Sequence, residues 1–183
     1  MHHTSTPTYQ LDPEETMSTY RRIALMSLLI SSAVLPPAVG AQGTESLAGT
    51  WKLNAAKSKW SPASLGSKSG TSTFTFSGKS VTANVDQVNA KDQKVHFEYT
   101  APIDGADSPW KGTTDGTATA SQDAVSFKKL NAHTYHIENK LKGKVLTTNH
   151  IVVAADGKSR TVTVTGRSPD GQKIHHVLVY EKQ

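Results

Sequence analysis

A chain of 183 residues without a cysteine can form no disulfide and carry no lipid on a cysteine, so its stability must come from one hydrophobic core, for which the length suffices. The formal net charge of +5 is spread over separate lysines rather than gathered in a basic run. That excludes the charge stripe of a nucleic-acid binder and favours solubility and protection of strand edges.

Residues 1–16 are polar. Arg21 and Arg22 then precede the apolar run Ile23-Ala24-Leu25-Met26-Ser27-Leu28-Leu29-Ile30, which continues to Leu35 before Pro36-Pro37 break it. Val39-Gly40-Ala41 is a small-residue cleavage site. The run is too short to cross a bilayer, so residues 17–41 read as a secretory signal peptide. Residues 1–16 are then a polar extension, or the true start is Met17. The expectation is a periplasmic or secreted domain over residues 42–183, with no stable membrane insertion once the signal is removed.

After residue 41 the sequence is rich in Thr, Val, Ser and Gly and reads as short strands. Gly49 to Asn54 is the first: Trp51 and Leu53 point inward, Lys52 and Asn54 outward. A glycine just ahead of a buried aromatic lets two backbones approach closely, and Trp51 is large enough to close one end of a small barrel by itself. A Lys/Ser/Gly-rich connection containing Trp60 runs to residue 71. Thr73-Phe74-Thr75-Phe76 alternates, Ser77-Gly78 turns, and Val81, Ala83 and Val85 alternate with polar residues. Val95-His96-Phe97-Glu98-Tyr99 follows with three apolar side chains on one face. Residues 101–115, with Pro102, Gly105, Pro109, Trp110 and Gly112, read as a long loop, with one short strand near Thr117 to Ala120. From Ala124 the meander is regular. Val125 and Phe127 face in, then Tyr135, Ile137 and Leu141, then the strands Val145 to Val153, Arg160 to Thr165 and Lys173 to Glu181. Asp156-Gly157 and Asp170-Gly171 are hairpin signals of the kind in which both central residues take positive φ. About ten hairpin-connected strands favour an up-and-down barrel over βαβ folds.

Gly49-Thr50-Trp51-Lys52-Leu53 resembles the Gly-x-Trp first strand of lipocalins and fatty-acid-binding proteins. Val177-Leu178-Val179-Tyr180-Glu181-Lys182 is similar to the final strand of the latter. Both ends also resemble a group of small exported bacterial proteins described as lipocalin-like, which share the Gly-Thr-Trp-Lys-Leu-Asn start and the Val-Tyr-Glu-Lys finish. The likeness covers roughly residues 46–183. It implies an all-β fold, an antiparallel up-and-down β-barrel of about 8–10 strands, rather than the two-sheet sandwich with similar local signals. Fatty-acid-binding proteins carry an arginine two residues before the final tyrosine, where it helps hold the ligand carboxylate; here that position is Leu178. They also insert two lid helices after the first strand, where Ser61-Pro62-Ala63-Ser64-Leu65-Gly66-Ser67 is poor helix material.

The inward residues Phe74, Phe76, Phe97, Tyr99, Phe127, Tyr135, Ile137 and Tyr180 are the candidate ligand-binding set. In a barrel of this size they either fill the interior or line a space for one small molecule. The tyrosine hydroxyls favour a partly polar lumen, since a buried hydroxyl needs a partner. Access is expected at the end bounded by segments 55–71 and 101–115. Trp60 and Trp110, each beside a proline, read as loop side chains covering the core. His96, His133, His136, His150, His175 and His176 lack metal-site spacing, and the neighbours His175 and His176 point to opposite faces. No metal or other cofactor is expected. There is no nucleophile elbow, no cysteine and no phosphate-cradling glycine loop, so no enzyme is expected. The reading is a monomeric, non-catalytic barrel for a small hydrophobic or amphipathic molecule. The alternative is a solid-core envelope interaction or inhibitor module without a ligand.

Overall fold

A computed structural model describes residues 45–183; the extension and signal peptide expected over residues 1–41 lie outside the described residues. Among the described residues there are eleven strands: β1 (Gly49–Leu53), β2 (Ser67–Ser77), β3 (Ser80–Asn89), β4 (Lys94–Pro102), β5 (Asp104–Thr114), β6 (Thr117–Ala118), β7 (Ala124–Lys129), β8 (Thr134–Leu141), β9 (Lys144–Val153), β10 (Ser159–Arg167) and β11 (Lys173–Lys182). Each pairs antiparallel with its neighbours, in the order β4-β3-β2-β1-β11-β10-β9-β8-β7-β5-β6, and a further β4–β5 pairing closes the ring. Ten strands form the wall of an up-and-down barrel; β6 is a two-residue flap on β5.

The first and last strands meet, as the two terminal motifs imply. Trp51 lies opposite Lys182 and Leu53 opposite Tyr180. Closure leaves no free sheet edge along the wall, which removes the usual site of strand-to-strand aggregation. Inward positions follow the alternation in the sequence: Trp51, Phe74, Val81, Ala83, Tyr99, Val125, Phe127, Tyr135, Ile137, Ile151, Val162 and Leu178 form one buried cluster.

Residues 101–115 are corrected by the structure. They do not form a loop, because β5 runs through them for 11 residues. Gly105, Pro109 and Gly112 argue against a strand locally. Pro109 is tolerated because β5 changes partners there. Its ladder with β4 ends at Tyr99–Trp110, while Asp104 to Pro109 pair with β7 across a register shift. A residue without an N–H at that junction interrupts little. Gly112 is required, since a Cβ there would lie 2.0 Å from the indole of Trp110, which folds across it.

The turns differ in type from expectation as well. At Asp156-Gly157 and Asp170-Gly171 only the glycine has positive φ, +67° and +88°. The turns in which both central residues are positive are Asp115-Gly116 (48° and 78°) and Lys142-Gly143 (51° and 74°), each a two-residue link between strands. Their twist matches that of the flanking strands.

Candidate functional site

The barrel is closed at one end by an aromatic floor. Phe76, Phe127 and Tyr135 pack ring against ring, with centroids 5.7–6.2 Å apart. Leu47 and Trp51 are fully buried in the same cluster, and the Trp51 indole donates to the Leu47 carbonyl at 2.9 Å. The lead-in segment locks the floor from below: the Tyr135 hydroxyl donates to Glu45 Oε2 at 3.1 Å, and Lys129 reaches Glu45 Oε1 at 2.7 Å. Trp51 therefore does not close the end alone. Gly49 also acts differently from the expected backbone approach. Its φ is +107°, and a Cβ there would meet the Lys182 stem at 3.1 Å. The missing side chain makes room for Lys182, whose ammonium lies 5.2 Å from the Trp51 ring centroid.

Above the floor the interior is open, with a cavity of about 500 Å³. Five of the eight candidate residues line it: Phe74, Phe97, Tyr99, Ile137 and Tyr180. Phe76, Phe127 and Tyr135 lie among the floor residues and are not in the cavity wall. Tyr135 is tied to the lead-in residues Glu45 and Ser46 through its hydroxyl, and Phe76 and Phe127 pack on its ring.

The wall carries a charge that the candidate set lacks. Arg160 on β10, directly opposite Tyr180 on β11, is only 3% exposed. Three rings surround its guanidinium: Tyr180 at 4.4 Å, Phe74 at 4.8 Å and Trp51 at 5.1 Å from Cζ. Such contacts are favourable for a desolvated cation but leave its N–H donors unused. Nη2 donates to Ser72 Oγ, whereas Nε and Nη1 have no partner among the described residues. Burial pushes the Arg160 guanidinium down to about 10, with Tyr180 and Tyr99 acting in the opposite direction, so it remains a cation near neutrality. Burial raises the Tyr99 and Tyr180 hydroxyls, an effect that the nearby Arg160 charge partly offsets, so both stay protonated. Two further buried polar atoms, Trp110 Nε1 and Asn149 Oδ1, also lack partners among the described residues, and both residues line the same cavity.

Trp110 is not a loop cover. It stands on β5, points inward, and lies against Phe97 at 5.7 Å. Trp60 does sit in the connection after β1, at the open end. It meets the imidazole of His176 edge-on at 5.0 Å, and a Cβ at Gly66 would come within 2.9 Å of its ring. The His176 ring is held by the Ser61 N–H, which donates to its Nδ1 at 3.0 Å. The same connection is stitched to β11 by Lys59 N–H to the Val177 carbonyl at 2.8 Å and His175 N–H to the Ser61 carbonyl at 2.8 Å. The rim is thus bounded by residues 60–67, together with the β3–β4 turn and Thr119 to Gln122. The 55–71 half of the access expectation agrees with this. The 101–115 half does not, since β5 spans the barrel wall.

His175 is exposed and His176 buried, on opposite faces as their adjacency requires. His96 pairs with Asp86 on the outer face at 2.8 Å. Among the described residues no group of three or more His, Cys, Asp or Glu is placed to hold a metal ion. Among the described residues the cavity wall contains no Asp, Glu or Cys; it presents the buried Arg160, Lys91 at the rim, several hydrogen-bonding groups and aromatic faces. No protein-family model and no curated protein matches the chain.

Proposed function

We propose that this protein is an exported lipocalin-like carrier, whose barrel holds one small apolar or amphipathic molecule and performs no chemistry on it. The observation that carries this reading is the cavity of about 500 Å³ above a sealed aromatic floor. That size falls within the range of small-molecule sites, and the lining mixes aromatic and aliphatic side chains with many hydroxyl and amide groups, which suits an amphipathic guest. A wall without carboxylate or thiol supports a binding role over a catalytic one. The solid-core alternative has no observation in its favour. The experiment is native mass spectrometry of the purified protein, followed by thermal-shift titration with apolar and amphipathic compounds. A bound adduct, or a melting temperature that rises with ligand concentration, is expected. No adduct and no stabilisation by any such compound would end the carrier reading.

A further inference from the structure

Along the barrel axis the inward side chains change character. On β3 they run Val81, Ala83, Val85 and then Gln87; on β8 they run Tyr135, Ile137 and then Asn139. The interior is apolar toward the floor and amide-bearing toward the rim. Three rim glutamines are only half satisfied. Gln87 Oε1 accepts from the Ser67 hydroxyl at 3.0 Å, Gln93 Oε1 accepts from Asn89 Nδ2 at 3.0 Å, and Gln122 Nε2 donates to Asn139 Oδ1 at 3.5 Å. The other half of each amide, two NH2 groups and one carbonyl, has no partner among the described residues. None of the three is among the buried orphan atoms, so each is accessible, on a residue that lines the cavity.

We infer that the cavity takes an amphiphile with an uncharged, hydroxyl-rich head, a sugar or polyol on an apolar chain. The chain lies among Phe74, Phe97 and Trp110, and the head sits at the rim against Gln87, Gln93 and Gln122. The inference rests on the carrier reading and names the class of guest. The unspent rim groups comprise donors and an acceptor, and a hydroxyl serves either, being a donor and an acceptor at once. A carboxylate only accepts and a quaternary ammonium does neither, so each would leave rim groups unmatched that water satisfied before. Trp60, edge-on to His176 at the same rim, offers apolar surface to the carbon face of a sugar ring. The charges do not call for an ionic head. Arg160 is enclosed by Trp51, Phe74 and Tyr180, and its unpartnered nitrogens each have less than 1 Å² of accessible surface. Lys91 is exposed on the β3–β4 turn, where water and salt screen it.

The test uses four probes with the same alkyl chain and different heads: decyl glucoside, decanol, decanoate and decyltrimethylammonium. Each is titrated calorimetrically into the protein at neutral pH, below its micelle-forming concentration, alongside glucose alone. Decyl glucoside is expected to bind about tenfold or more tighter than each of the other three, as one or two additional net hydrogen bonds imply, and glucose alone should show no binding. Gln87→Leu combined with Gln122→Leu should bring glucoside and decanol affinities within about threefold of each other in that variant. If the pair does not fold, Gln122→Leu alone, between β6 and β7, serves in its place and should narrow the ratio by about threefold or more. Equal binding of decyl glucoside and decanol would overturn the inference and leave the carrier reading standing. A preference undiminished in these variants would overturn it, by placing head recognition elsewhere. Tighter binding of decanoate or of the ammonium would overturn the choice of an uncharged head. Glucose that binds as well as its decyl derivative would overturn the requirement for a chain. Failure of all four decyl probes would remove the carrier reading together with the inference.

Discussion

Trp51 has no exposed surface and gives its indole N–H to the Leu47 carbonyl. Trp51→Ala should therefore lower unfolding stability by about 3–5 kcal/mol, read from denaturant midpoints; a loss under about 1 kcal/mol would mean the floor repacks without it. Gly166 is constrained through its backbone. Its φ is +138°, and an added Cβ would lie 2.1 Å from the Leu146 carbonyl oxygen on the neighbouring strand. Gly166→Ala should cost about 2 kcal/mol or more in the same assay, since strained φ and a backbone clash add. Residue by residue, inward placement was legible where the two-residue alternation alone decides. Phe74, Phe97, Tyr99, Ile137 and Tyr180 are where that rule puts them. Arg160 obeys the same rule, sharing its face with Val162 and Val164, yet it reads as one more dispersed surface charge because composition hides which face it takes. The signal was present in Arg160-Thr161-Val162-Thr163-Val164. Asking which face holds the valines would have turned the arginine inward.

The connection between β1 and β2 is the element whose behaviour should depend on pH. Burial holds His176 below its ordinary value of 6.5, an effect that neighbouring His175 reinforces by its charge and opposes through a backbone hydrogen bond. The Ser61 N–H donates to the Nδ1 lone pair, which a proton would occupy. As pH falls through about 6.5 the unfolded chain takes up a proton that folded His176 refuses, so folding free energy is lost on the acid side and complete above 6.5. Urea unfolding at a series of pH values between neutral and mildly acidic should show declining stability, and His176→Phe should flatten the decline. An unchanged slope in that variant would assign the effect to other histidines. Element types were legible where periodicity was clean and failed where local chemistry was overridden. β5 was lost because a proline and two glycines signal a loop, whereas barrel closure needs a strand between β4 and β7 and supplies partners on both sides. The two Asp-Gly pairs do turn the chain, but in longer loops that ask for positive φ only at glycine.

At the scale of the whole molecule the ring depends on its last strand, because β11 pairs with both β1 and β10. Deleting residues 173–183 would open the wall, bare two long edges and uncover the Trp51 floor. The truncated chain should aggregate rather than persist as a monomer in size-exclusion chromatography. A soluble, compact truncation product would show that closure is dispensable. The terminal motifs made the closed ring readable in advance. The division of the interior into floor and cavity was not readable, because it depends on how far along each strand a side chain sits and on the lead-in residues Glu45 to Leu47 reaching under the barrel. One consequence concerns light. The three indoles stand at three depths: Trp51 sealed in the floor, Trp110 in the wall and Trp60 at the rim. Variants that keep one fluorophore at a time would turn the molecule into a depth gauge, in which the order of spectral changes on mixing traces the path of an incoming guest.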